Sequence, residues 1–123
     1  MGQIRLYEAE LKLMELLWAH EGSSAKELSL LAAETIGWNK NTTYTVIKKL
    51  VAKGAIARQE PGFICRSLLV REDVGREEAK AVLHSFFGGS VKALFSSFMA
   101  EEGLSEQEAT ELRKLIDARG KGP

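Results

Sequence analysis

The side chains best suited to recognition chemistry lie between Trp38 and Gly54, WNKNTTYTVIKKLVAKG. On a helix, at about 100° per residue, Asn41, Tyr44, Thr45 and Lys48 fall on one side and Thr43, Val46, Ile47 and Leu50 on the other. The second set suits a small core. The first presents a carboxamide, hydroxyls and an ammonium, groups that hydrogen-bond base edges and phosphate oxygens. Lys40, Thr42 and Lys49 flank that side, where contacts to phosphate are expected. Asn39 is placed to cap the helix through its side-chain oxygen, and Gly54 to end it in the left-handed conformation. From Thr35 to Gln59 the chain has five bases, Lys40, Lys48, Lys49, Lys53 and Arg58, and no acid. The pattern reads as a helix built to enter a DNA groove. Because lysines also serve merely to solvate a surface helix, the surrounding elements must decide.

Other chemistry finds little support. His20 and His84 are the two histidines, far apart in sequence and without the spacing of metal ligands or of a base beside a nucleophile. The single Cys65 excludes an internal disulfide and a zinc-finger quartet, and it reads as a small buried side chain. No catalytic group, cofactor or metal is expected. Seventeen bases balance seventeen acids, so any attraction to nucleic acid must be local. Residues 1–71 carry ten bases and seven acids, and 72–123 the reverse tendency, seven and ten. No basic-then-apolar leader or run of membrane-spanning length is seen, which leads us to expect a cytoplasmic protein with no membrane partner.

The elements that would position the reading helix follow in order. Leu6 to His20 places Ala9, Leu13, Leu16 and Leu17 on a stripe widened by Met14 and Trp18, the pattern of an amphipathic helix. Glu21-Gly22-Ser23 breaks it. Ser24-Ala25-Lys26-Glu27 is a capping box that opens a second helix with Leu28, Leu31, Ala32 and Ile36 inward. Ile36-Gly37-Trp38 is a short turn, and the reading helix follows, so the three segments describe a helix-turn-helix. Beyond Gly54 the periodicity changes. Residues 55–59 and 64–68 read as strands joined by Glu60-Pro61-Gly62-Phe63, with proline and glycine placed for a tight type II turn. Three helices and a hairpin make a winged helix. The expected fold is mainly α with a small β-hairpin: a winged helix-turn-helix DNA-binding domain over 1–71, then a helical dimerisation region over 72–123.

In that region Val82, Leu83, Phe86 and Phe87 run on past Gly88-Gly89 into Leu94, Phe95 and Phe98, on helices expected to start near Asp73. A tail of this size cannot bury so much aromatic surface on itself. A second copy of the chain is the expected cover, making a homodimer. Ser105-Glu106-Gln107-Glu108 is a further capping box, opening a helix with Leu112 and Leu115 inward, and Gly120-Lys121-Gly122-Pro123 reads as a frayed end.

Leu6 to Trp18, Trp38-Asn39-Lys40-Asn41-Thr42, Leu50-Val51-Ala52-Lys53-Gly54 and Gly88-Gly89-Ser90, in this order and spacing, resemble the penicillinase-repressor family of bacterial transcription regulators. The resemblance runs from about Leu6 to about Ala118. It implies a repressor whose dimer blocks transcription from a double-stranded DNA operator. In the antibiotic-responsive branch it also implies a regulatory protease cutting between an asparagine and a phenylalanine, at a position matched here by Ser97 and Phe98, with serine a departure. The copper-responsive branch carries a cysteine cluster in its tail, and this tail has no cysteine. Where family wings often carry arginine and then tyrosine, this chain has Phe63 and Ser67, which leaves Arg58 and Arg66 as the expected wing contacts. The first helix opens at Tyr7 where the family often has serine or threonine. A different class of function, a winged helix that docks proteins and does not bind DNA specifically, fits the same elements. Salt-dependent DNA binding distinguishes the two.

Overall fold

The structure, a computed structural model, describes residues 4–119, so the frayed end expected at 120–123 lies outside the described residues. Its elements are α1 (Glu8–Ala19), α2 (Ala25–Thr35), α3 (Lys40–Lys53), β1 (Ile56–Gln59), β2 (Ile64–Ser67), α4 (Arg71–Phe87), α5 (Val91–Glu101) and α6 (Glu106–Arg119). The fold is mainly α with one antiparallel hairpin. Two compact units divide the chain, the first ending at Arg76 and the second beginning at Glu77.

In the first unit α1 starts without a short polar cap. Glu10 supplies half of a capping box instead, its carboxylate accepting from the Tyr7 amide at 2.9 Å. That carboxylate is 5% exposed, and Lys53 at the end of α3 donates to it at 2.5 Å and to the Arg5 carbonyl at 2.7 Å. Burial alone would raise the Glu10 pKa. The hydrogen bonds from Lys53 and the Tyr7 amide, with the charges of Lys53 and Lys49, outweigh it and hold the carboxyl below its ordinary 4.5. The start of α1 is thereby tied to the end of α3. This pairing also turns the stripe of α1: Glu10, Leu13, Met14 and Leu17 are buried, whereas Ala9, expected inside, lies at the edge of that arc and is exposed.

Helix α2 opens on the expected capping box, with the Glu27 amide donating to Ser24 Oγ at 3.0 Å and the Ser24 amide to the Glu27 carboxylate at 2.8 Å. Leu28 and Ala32 face inward with the buried Ser29, whose hydroxyl donates to the Lys26 carbonyl at 2.8 Å. Helix α3 begins where Asn39 Oδ1 accepts from the Thr42 amide at 2.8 Å. It ends at Gly54, where φ is 84°, a conformation that side chains resist. Leu13, Leu17, Leu28, Ile47 and Leu50 form the centre of the core with Ile56 and Cys65 of the hairpin.

The strands pair from Ile56 with Ser67 to Gln59 with Ile64, so residues 60–63 form the turn between them, as expected. Gly62 has the positive φ anticipated for it, 95°, but Phe63 also has one, 51°. The left-handed conformation costs a side-chain-bearing residue about 1–2 kcal/mol. Contacts on both sides of Phe63 hold it there: its amide donates to the Glu60 carboxylate at 3.1 Å, and its carbonyl accepts from the Ala25 amide at 2.9 Å. The latter belongs to a pairing that no local sequence pattern marks. Ser24 bridges to Ile64, and the Cys65 amide donates to the Ser23 carbonyl at 2.8 Å, so the turn between α1 and α2 lies along the free edge of β2.

Trp18 secures the other end of β2. Its indole N–H donates to Ser67 Oγ and to the Leu69 carbonyl, both at 3.0 Å. Ser67 therefore takes part in fastening the hairpin to α1. Cys65 is fully buried, and burial pushes its thiol up to about 11, with Glu21 adding to the shift and Arg58 opposing it.

Helix α4 starts at Arg71, two residues ahead of the expected Asp73. Arg71 is bonded to Glu15 of α1 at 3.0 Å, and Glu72 and Asp73 occupy the first turn, where the helix dipole favours acids. In the second unit the Gly88-Gly89 break has positive φ at both residues. Ser90 then caps α5 by accepting from the Ala93 amide at 3.0 Å. Ser105 accepts from the Glu108 amide at 3.0 Å and opens α6. None of the described residues of α4, α5 or α6 is buried. Among the described residues no helix is long and apolar enough to cross a membrane, and no cluster of three or more His, Cys, Asp or Glu is arranged to hold a metal.

Candidate nucleic-acid interface

The position of α3 follows from its own sequence. Thr43, Val46, Ile47 and Leu50 are buried, as their spacing predicts, which leaves the opposite side of the helix to solvent. Asn41, Thr45 and Lys48 are exposed near the centre of that side, flanked by exposed Thr42 and Lys49. Asn39, Asn41, Thr42, Thr45, Val46 and Lys49 line a shallow concavity of about 350 Å³. The capping of α3 by Asn39 fixes where this polar surface begins, and the first turn carries no acid.

Tyr44 is placed differently from its neighbours. It is half-buried, with its ring against the core and edge-on to Phe63 of the hairpin loop, centroids 6.1 Å apart at 81°. Lys40 lies over the other part of this group, its ammonium 5.8 Å from the Tyr44 centroid. The Arg58 guanidinium sits 3.7 Å from the centre of the Phe63 ring. Lys40, Tyr44, Phe63 and Arg58 thus form a row from the first turn of α3 to the wing, two touching rings with a cation at each end. Phe63 joins the two elements.

The bases of the acid-free stretch have distinct surroundings. Lys53 is taken up by Glu10, and Arg58 Nε is bonded to the Glu60 carboxylate. That bond, with the Phe63 amide, holds the Glu60 carboxyl below its ordinary range. Arg66 donates to Gln59 Oε1 at 3.1 Å and lies against Gly22 in the turn after α1. Lys40, Lys48 and Lys49 are the exposed bases of α3 itself. Of the residues expected at the interface, those on α3 share one surface, while Arg58 and Arg66 are engaged on the wing. The Glu60 pairing was signalled in the sequence: between Glu34 and Glu72 it is the single acid.

In the second unit Val82, Phe86, Phe95, Phe98 and Leu115 are exposed, together with Met99 and Ile116, and Leu83, Phe87, Leu94 and Leu112 are half-buried. Phe86 is 76% exposed and Phe98 56%. Ser97 and Phe98 lie inside α5.

A helix-turn-helix whose second helix has a polar outer face, followed by a hairpin packed against its core, is a winged helix, the class of domain that presents a helix to the major groove. The sequence profile described as penicillinase repressor matches residues 6–118, and the chain belongs to that family. It is 24% identical over 115 residues to the penicillinase repressor of Bacillus licheniformis, covering 92% of this chain and 90% of that protein. Identity to the penicillinase repressor of Staphylococcus aureus is 27% over 117 residues, covering 94% and 93%. The methicillin resistance regulatory protein MecI of Staphylococcus aureus strain N315 is 26% identical over 113 residues, covering 90% and 92%. Among solved structures, that of the DNA-binding domain of the repressor BlaI superposes with a TM-score of 0.53 at 26% identity, covering 59% of this chain and 93% of that one.

Proposed function

We propose that this protein represses transcription as a homodimer that lays one α3 per subunit in the major groove of an operator with inverted-repeat symmetry. Membership of the penicillinase repressor family makes it a DNA-binding transcriptional repressor. The observation that supports α3 as the reading element is its acid-free outer surface, where Asn41, Thr45 and Lys48 stand exposed opposite the buried side of Thr43, Val46, Ile47 and Leu50. Asn41 and Thr45 would face base edges, and Lys40, Thr42, Lys48 and Lys49 the backbone. Tyr44, held against Phe63, contributes its hydroxyl end at most. Arg58 and Arg66 border the groove from the wing.

Two-fold pairing of the second units, through the exposed Phe86, Phe95 and Phe98, would set two α3 helices about 34 Å apart. A regulatory protease acting at Ser97 and Phe98 would meet a helical segment, which must unwind before it can lie extended in an active site.

Recovery of genomic fragments by the purified protein tests the reading. An inverted repeat near promoters is expected. On that repeat Asn41→Ala should relax base preference by about 1–3 kcal/mol at one position per half-site, and Lys48→Ala should weaken binding to all sequences. Recovery without sequence preference, abolished by salt, would instead favour a protein-docking module.

A further inference from the structure

We infer that Glu60 is an internal competitor for the DNA backbone, its carboxylate holding and neutralising Arg58 on the wing so that duplex binding must exchange it for a phosphate. The inference rests on the reading of α3 and the wing as the surface that meets DNA. Three observations carry it.

The first is placement in sequence. Residues 35–71 contain seven bases and one acid, and that acid is Glu60. A stretch of chain otherwise free of acids retains one carboxylate, and it lies on the last base of the acid-free run. The second is how firmly the carboxylate is aimed. Oε2 accepts from Arg58 Nε, while Oε1 accepts from the Phe63 amide at 3.1 Å, so the wing backbone directs the group at the guanidinium. The third is where the guanidinium is held. It stacks 3.7 Å from the Phe63 centroid, and Phe63 touches Tyr44 of α3. Arg58 therefore sits beside the reading helix with the Nε edge of its guanidinium and its charge taken by the carboxylate. A phosphate gripped through that edge displaces the carboxylate by the same charge-assisted, planar recognition.

Both side chains are about half exposed, 46% for Arg58 and 54% for Glu60, so the pair is weakly bound and open to exchange. A buried pair would lock the wing. This one lowers the wing's contribution on every sequence and leaves discrimination to α3. A carboxamide at position 60 retains the acceptor for the Phe63 amide and removes the charge, so the loop geometry survives the substitution.

Affinity for a duplex of mixed sequence, measured over a range of salt concentrations, tests this without knowledge of the operator. Glu60→Gln should tighten binding roughly fivefold at about 0.15 M salt and steepen the salt dependence by about 0.9 per bound subunit, the mark of one more phosphate contact. In an Arg58→Ala background the same substitution should leave the slope unchanged. Unchanged or weaker binding by Glu60→Gln overturns the inference. So does equal tightening with and without Arg58, which would mean simple repulsion between Glu60 and the duplex. Lys48→Ala, run alongside, separates the two levels. If it weakens binding while Glu60→Gln has no effect, the competitor role alone fails. If it has no effect, the reading of α3 fails and takes this inference with it.

Discussion

The indole N–H of Trp18 reaches the hydroxyl of Ser67 at 3.0 Å, across 49 positions of sequence, and shares its proton with the Leu69 carbonyl. Ser67 in turn donates to the Leu69 carbonyl at 2.6 Å, and its own amide donates to Glu21 at 2.8 Å. One indole thus fastens the exit of the hairpin to the first helix. Trp18→Phe keeps most of the packing and loses the donor. Urea denaturation should show a loss of about 1–2 kcal/mol with the helical content of the folded state unchanged. Ser67→Ala should cost less, because the Leu69 carbonyl still accepts from the indole.

Glu10 makes stability depend on acid. Its folded pKa is depressed below 4.5, so folding favours the carboxylate, and its contribution is present above the ordinary value and lost as pH falls through the folded one. At neutral pH Glu10→Gln should cost about 2 kcal/mol, since it weakens a charge-assisted bond to Lys53. As pH falls below the ordinary 4.5 and through the depressed folded value, the wild-type protein should lose this advantage and the two urea midpoints should converge. Parallel curves would assign the acid sensitivity to other carboxylates.

Cys65 should behave as an inert thiol. Its pKa of about 11 and full burial leave little thiolate and no access, so a disulfide reagent at about pH 8 should label it only as fast as the domain opens. A raised acid pKa stabilises the fold below the ordinary 9.0 and ceases to do so as pH rises toward 11. Labelling at the rate of a free cysteine would contradict the packing of β2 against the core.

Self-association is read by sedimentation. The wild-type chain should sediment as a dimer, and Phe98→Glu, which places a charge on the exposed aromatic surface of α5, should weaken the dimer on the order of a hundredfold, about 3 kcal/mol. Duplex affinity should fall with it, because two α3 helices no longer bind together. A wild-type monomer at tens of micromolar protein would defeat the proposed homodimer.

The features legible in the sequence are those whose causes are local. Ser24 with Glu27, Asn39 and Gly54 announce helix ends because each satisfies or relieves backbone within a few residues of itself. The buried side of α3 is legible because Thr43, Val46, Ile47 and Leu50 keep a strict helical spacing. What escaped depends on partners remote in sequence. Ala9 could not be told from Glu10 as the inward residue without Lys53, which lies 43 positions away from Glu10. The bridge between Ser24 and Ile64 uses backbone groups, which leave no signature in residue type. At residues 60–63 proline and glycine mark the turn, but the positive φ of Phe63 is set by Glu60, Ala25 and its ring contacts with Tyr44 and Arg58.

The pairing of Ser23 to Ala25 along β2 anchors Phe63 and Cys65 by their backbones and leaves Glu60, Pro61 and Gly62 beyond the anchor. The hairpin therefore behaves as a fixed socket with an interchangeable tip. At position 60 an uncharged acceptor can replace the carboxylate and change the charge offered to DNA, while Gly62 at φ 95° and an acceptor for the Phe63 amide preserve the shape of the loop. Over evolutionary time such a tip is where related regulators could diverge in grip while keeping the same reading helix.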